Sequence, residues 1–529
     1  MAKADIQATL DAVYAQQKSA QFGAGRYALL FKPGAYAVDV NVGFYTHVAG
    51  LGLQPSAVSI TSSIYAGLHG NATTNFWRGV ENVNAVPKSG TDTWAVSQGT
   101  FYRRNYLLGN LNLSDGGYSS GGFIADCQLT GQVDSGTQQQ WITRNSVVGQ
   151  WLGSNWNIVF VGDENAPATS FPYPPYTNVQ DAPLLREKPF LYIDSRGDYQ
   201  VFVPAVRTSA RGLSWFAQKP QGRSIPISQF FIAHEGDTAT ELNAALAQGK
   251  HLLLTPASYS IAQPLQITHP DTVVLGLGYA TLQADNGAIA LDVADVDGVQ
   301  IAGVLIEAGT TASPALVRVG GAQPTGRRHN QNPIGLFDVF VRIGGARPGK
   351  AEQTMVINSA DVILDNIWLW RADHGTGVGW TQNTVDEGLV VGGSDVVAYG
   401  LFVEHHQKAQ VVWTGERGRT YFFQNEMPYD PPSQSAWMDG TTRGYPAYQV
   451  ASGVHTHEAW GLGSYCIFFS DPSIVADSAF SVPSRPGVKL HSMITFSLGG
   501  GVGTIAHVVN NTGGPSNADT TLAVLSNYP

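Results

Sequence analysis

Apolar residues in this chain fall in short runs, and three of them stack on one another: GVQIAGVLIE (298–307), DVILDNIWLW (361–370) and DVVAYGLFVE (395–404). They share apolar positions and end in one column, Glu307, Trp370 and Glu404. Such runs, rich in β-branched and aromatic residues, predict strands. The spacing between them, 34 residues and more, exceeds a bare coil, so loops are expected between the strands. Strict period-2 alternation sends Ile367 and Leu369 inward and Trp368 and Trp370 outward. An exposed tryptophan pair in the column of Glu404 is hard to explain by packing. Runs of the same kind occur in the first half, at 122–126, 141–145 and 157–160.

The pattern starts twice. A short amphipathic helix is predicted from Asp5 to Leu10, followed by LLFKPGAY (29–36) and GLG (50–52). A second helix is predicted from Thr240 to Leu246, followed by LLLTPASY (252–259) and GLG (276–278). The offsets are 223 and 226 residues, in one order, which indicates duplication. A helix ahead of repeated short strands suits a coil stack whose open end would otherwise expose strand edges. The expected architecture is all-β, two tandem parallel β-helix domains: residues 1–204, a connector at 205–226 without clear periodicity, and residues 227–529.

Composition agrees with this. Charged residues are only 13%, and 60 glycines and 28 prolines supply many turns. A net charge of −10 with no basic stripe excludes a nucleic-acid partner. No apolar run approaches a membrane span. Two cysteines, Cys127 and Cys466, are too few and too distant for a disulfide framework or a Cys-x-x-Cys site, and both are expected as buried small hydrophobes. The N-terminus shows no signal-peptide apolar region; a mature, secreted form is expected.

The candidate chemistry lies at 403–430. One strand run delivers Glu404, a glycine-rich turn follows, and a second run (420–423) delivers Gln424, Asn425 and Glu426. Two carboxylates at the ends of neighbouring coils suit glycoside hydrolysis, which needs an acid for the leaving oxygen and a partner for water. On spacing alone, surface salt-bridge carboxylates fit as well. Other patterns carry less. Gly117-Tyr118-Ser119-Ser120-Gly121 lacks the strand–turn–helix context of a serine hydrolase. His457-Glu458 has Gly461 where a second zinc-binding histidine belongs, and the pair His405-His406 is not at ligand spacing.

With the double start, the motifs VEHHQKAQVVW, TYFFQNEMPYD and HEAWGLGSYC resemble glycoside hydrolase family 55 over nearly the whole chain. The resemblance implies two right-handed parallel β-helices packed side by side. It also implies inverting, exo-acting hydrolysis of β-1,3-glucan (laminarin and its oligosaccharides) to glucose, with no cofactor or metal. Glu426 falls on the general acid and Glu404 on a second acidic residue near the water. Gln98 and Ser120 fall where first-domain residues hold that water; Trp370, Asp373, Tyr429 and Tyr118 fall on sugar-contacting positions. The 114–120 loop is shorter than the family's by about two residues, which bears on Tyr118 and Ser120. A monomer is expected, since one chain supplies both halves of such a site. The competing readings are a lyase or hydrolase of acidic glycans and a non-catalytic glycan-binding β-helix, because a fold does not fix a function.

Overall fold

The computed structural model describes residues 3–68, 70–216 and 219–529. Its first half stacks eight parallel strands in chain order, from Tyr27–Phe31 through Thr46–Gly50, Arg78–Glu81 and Phe101–Arg103 to Tyr176–Val179. A ten-stranded parallel sheet from the same coils lies beside it. The second half repeats the plan. Thirteen strands form its main sheet, including Gln300–Ala308, Gly335–Ile343, Ile363–Arg371, Val397–Glu404, Gly418–Glu426 and His457–Cys466, with an eight-stranded sheet alongside. All these neighbours pair in parallel, save the last strand, Leu522–Tyr528, which closes the stack antiparallel.

Each coil bends at a fixed place. Gly303, Asp338, Asn366, Gly400, Phe422, Gly461 and Ser492 occupy one column, all with positive φ. A left-handed residue inserted in a strand shifts its alternation by one. Val362 and Leu364 point into the stack, and after Asn366 so do Ile367 and Leu369; Val396 and Ala398, then Leu401 and Val403, repeat the step around Gly400. Alternation is therefore strict only on either side of the bend. Asn82, Arg104, Asp126, Asn145 and Gly162 form the matching column in the first half.

The helix Lys3–Gln17 buries Leu10 and Val13 over the first stack. The helix Ala239–Ala247 covers the second, its N-terminus closed by a capping box between Thr238 and Glu241 and its buried side carrying Leu242, Ala245 and Leu246. Cys127 and Cys466 are buried free thiols.

The connector differs from expectation. Parallel stacking in the first half ends at Val179 and resumes at Phe230. Between them, Ala182–Leu185 pairs with Arg207–Ala210, and Phe190–Ile193, Tyr199–Pro204 and Gly222–Pro226 form a second antiparallel sheet. Arg207–Ala210 and Gly222–Pro226 thus belong to a small β unit that begins before residue 204; short antiparallel strands of mixed polarity carry no coil-stack pattern. Ala217 and Gln218 lie outside the described residues.

The two halves share a core. Phe76, Trp77, Phe101, Phe123 and Ile142 from the first pack with Phe340, Trp368, Trp370, Tyr399 and Phe402 from the second. Buried ion pairs tie the same surfaces: Arg103 sits 2.8 Å from both Asp338 and Asp365, Arg144 lies 2.6 Å from Asp365 and 2.8 Å from Glu187, and Lys188 bridges Glu81 and Asp338. Outward from one stack means inward to the molecule. Trp368 and Trp370 do leave their coil, as alternation predicts, but both are fully buried between the halves.

Candidate active site

The parallel register brings the two carboxylates together. Phe402 pairs with Gln424, and two residues further the backbone N–H of His405 donates to the Glu426 carbonyl at 2.8 Å, so Glu404 and Glu426 end adjacent strands side by side. Trp370 is the neighbour of Glu404 on the preceding coil, and Arg342 stands between Glu307 and Trp370 in the expected column.

Glu404 is held on both oxygens. The Gln98 amide donates to Oε1 at 2.7 Å from the other half of the molecule, and the Trp368 indole donates to Oε2 at 2.8 Å. Donors favour the carboxylate, yet burial outweighs them and pushes Glu404 up to about 7. Burial raises Glu426 well above the carboxylate range, and the negative charges of Glu404 and Asp373 add to it. The Tyr429 hydroxyl donates to Glu426 Oε2. Asp373 behaves oppositely. Burial works against its charge, but a 2.9 Å contact with His374 Nδ1 and the nearby His405 ring bring it down to about 2. The arrangement therefore pairs an acid that keeps its proton with a carboxylate that is always charged.

These groups line a pocket of about 230 Å³. Gln98, Ser120, Trp370, Asp373, Glu404, Glu426 and Tyr429 all border it, and Tyr118 does not. Ser120 is anchored through its backbone: its N–H donates to Ser97 Oγ at 2.9 Å, and its carbonyl accepts from the Gln140 amide. Its hydroxyl makes no hydrogen bond among the described residues, which leaves it available to a bound molecule.

The loop after Glu426 is fixed by one guanidinium. Arg371 grips both oxygens of Asp430 at 2.8 Å and also donates to the carbonyls of Asn383 and His405. It thereby joins the end of the Trp370 strand, the residue after Glu404 and the residue after Tyr429.

A family model of the LAM55 pectate lyase-like domain matches residues 230–426. The chain is 51% identical over 524 residues to an exo-beta-1,3-glucanase of Streptomyces sp. (strain SirexAA-E / ActE), a span of 98% of this chain and 86% of that protein. The chain belongs to glycoside hydrolase family 55. Among solved structures, sacteLam55A from Streptomyces sp. SirexAA-E superposes with a TM-score of 0.97 at 50% identity, covering 99% of this chain and 96% of that one. A variant of sacteLam55A solved in complex with glucose gives 0.98 at the same identity and coverage.

In this family 55 site, two expected sugar contacts take other positions. Trp370 borders the pocket but is only 1% exposed, its ring stacked with those of Phe22, 6.2 Å away, and Trp368, 5.0 Å away. A ring so nearly buried offers a sugar little of its face, so the expected stacking becomes a wall contact. Tyr118 is 68% exposed on the 114–120 loop and is not among the lining residues. Thr73, Thr74, Phe76, Gln139, His374 and Leu498 border the pocket without having stood out in the sequence, and so does His405, which was weighed only as half of a poorly spaced ligand pair. Those from the first half lie on loops whose neighbours are set only by the contact between halves. His405 and His374 had a local signal, each directly following an acidic site residue. Of the adjacent pair, His405 contacts Tyr429 at the pocket, whereas His406 is buried with Thr354 and Gln410, and burial drives it down to about 3.

Proposed function

We propose that this protein is an inverting exo-β-1,3-glucanase that releases glucose from the non-reducing end of laminarin-type glucan. The observation that carries the reading is the proton-retaining Glu426 beside Glu404 in a small pocket walled by both halves of the chain. Glu426 gives its proton to the glycosidic oxygen as the bond to the anomeric carbon breaks. A water on the opposite face of the sugar attacks that carbon, held by the Ser120 hydroxyl and the free carbonyl oxygen of the Gln98 amide. Glu404, tied to the same Gln98, takes up the proton that this water releases. Attack from the opposite face inverts the anomeric centre. Asp373, ionised throughout, accepts hydroxyls of the terminal sugar, and the pocket's small volume favours a chain end over an internal segment. One similar protein is named an exo-beta-1,3-glucanase, and a solved structure of a sacteLam55A variant holds glucose, which supports the same substrate class here. The accompanying reading of the fold is two right-handed β-helices side by side, in a secreted monomer.

Proton NMR of the first product from laminarin tests this. Wild type is expected to yield α-glucose first, and Glu426→Gln to lose nearly all of the rate with an unchanged circular dichroism spectrum. Initial β-glucose would refute inversion. Longer fragments would refute exo action, and no glucose at all would turn the site towards acidic glycans.

A further inference from the structure

We propose a second binding site, for a sulfate- or phosphate-type oxyanion, in the cleft where the small antiparallel unit meets the second stack. The cleft encloses about 600 Å³ and is built from both sides of the seam. The antiparallel segment contributes Arg186 and Thr208; the second stack contributes Arg328, Arg417, Arg419, Asp361 and Asp395. It lies at the opposite end of the strands that deliver the catalytic carboxylates. Val397 borders this cleft while Glu404, seven residues along the same strand, borders the other pocket, a separation of about 20 Å at ordinary strand rise.

The charges in the cleft do not cancel. Arg328 pairs with Asp361 at 2.7 Å and with Asp395 at 3.2 Å, and Arg417 pairs with Asp395 at 2.7 Å. That ladder consumes both aspartates. Four arginines against two aspartates leave two positive charges, those of Arg186 and Arg419. Arg419 makes no side-chain hydrogen bond or ion pair among the described residues. The acid beside it in the register, Glu458, lies outside the lining and is bonded to His491 at 3.1 Å, with the charges of Lys489 and Arg419 lowering its pKa further. Arg186 is 7% exposed, donates from its two terminal nitrogens to Asn332 Oδ1 at 3.0 Å and to the Pro333 carbonyl at 3.4 Å, and has a buried Nε with no partner. Burial lowers its pKa to about 10, and the nearest acid, Asp271, is engaged by Arg223 and Asn332.

A buried guanidinium with an unmet donor is costly unless an anion completes it. Arg186 is such a cation; the exposed Arg419 adds the second charge, and with the Thr208 hydroxyl and the amides of Asn330 and Gln331 lining the same cleft the set matches the charge and acceptor number of a dianionic oxyanion. The excess is local, since the chain as a whole carries −10 and repels polyanions elsewhere. The oxyanion comes either free or as an ester on a polysaccharide, and the site's chemistry is the same for both.

Isothermal titration of the full-length protein with sodium sulfate and sodium phosphate, at ionic strength matched with chloride, reads the site directly. Saturable binding is expected in wild type. Arg419→Met, at an exposed position, should weaken it at least tenfold while laminarin hydrolysis is unchanged. Arg186→Met should do the same, read only if its spectrum and melting match wild type. Dextran sulfate set beside dextran separates the sources: Arg419-dependent binding of the sulfated chain much tighter than of inorganic sulfate assigns the ester, and equal strength per sulfate assigns the free ion. No saturable binding in wild type, or undiminished binding in Arg419→Met, would overturn the proposal.

Discussion

At the scale of single residues, the site turns on how two carboxylates are kept from ionising together. Glu404 has an N–H donor on each oxygen and still titrates near 7, because burial costs the charged form more than the two bonds return. Removing one donor should move it further. Trp368→Phe keeps the aromatic packing and deletes the indole N–H, and a hydrogen bond to a charged group contributes about 1.5–3 kcal/mol. The limb of the kcat/KM profile that belongs to the carboxylate pair should therefore shift to higher pH by about one to two. An unmoved limb would mean that the indole does not support the charge. Stability carries the same sign. A carboxyl raised in the folded state contributes stability that is fully present below its unfolded value of about 4.3 and is lost as pH rises through about 7. Thermal melts across that window should fall more steeply for wild type than for Glu404→Gln.

At the scale of elements, strand ends and the loops that leave them position the acid. Arg371 closes one strand, is almost wholly buried, and reaches Asp430 in the loop after the Glu426 strand. The clamp fixes Tyr429, whose hydroxyl meets Glu426, so Asp430→Ala should lower kcat/KM at least tenfold. It also leaves a buried guanidinium short of its carboxylate, a destabilisation of up to about 3 kcal/mol, readable in urea denaturation. Arg371→Lys should not substitute, since an ammonium cannot make the two parallel bonds. The bend inside each strand is equally specific. Gly400 has a φ of 69°, and a Cβ there would stand 2.9 Å from the Phe123 ring of the other half. Gly400→Ala should lower the melting temperature through left-handed strain of about 1–2 kcal/mol and the pressure on that ring. A neutral effect would show that the two halves yield at this contact.

At the scale of the whole molecule, the halves are one folding and functional unit. Gln98, Ser120 and Gln139 reach the pocket only because the stacks share a face, and that face hides Trp368, Trp370 and a buried set of ion pairs. Asp365 is its centre, meeting both Arg103 and Arg144 with no exposure to solvent. Asp365→Ala leaves Arg103 with Asp338 alone and Arg144 with Glu187 alone, and should cost about 3 kcal/mol, measured as the shift of one cooperative unfolding transition. Two separated transitions in wild type would contradict this unity. Residues 227–529 alone should neither turn over laminarin nor stay monomeric, because the separation removes the water-holding side and bares the aromatic face.

What the sequence determined by itself was local and repetitive. Apolar runs with matched positions marked the coils, the recurring helix–strand–glycine order marked the duplication, and the ends of two runs marked Glu404 and Glu426. Each is a statement about neighbours within one coil or on the next. The bend was not read there: in DVILDNIWLW Val362, Ile363 and Leu364 are all apolar, so the step of the inward set from Val362 and Leu364 to Ile367 and Leu369 at Asn366 shows only in the structure. Only the tertiary structure decided what lies outside the coils. Alternation can say that Trp368 and Trp370 leave their own stack, but not whether water or another stack receives them. Here the other half receives them, which turns a presumed sugar platform into a buried donor to Glu404 and a covered wall. The same holds for the antiparallel strands of 182–226 and the cleft they form, whose partners are distant in the chain. Side-chain pattern reports burial, whereas the identity of the neighbour across a surface depends on how whole elements dock.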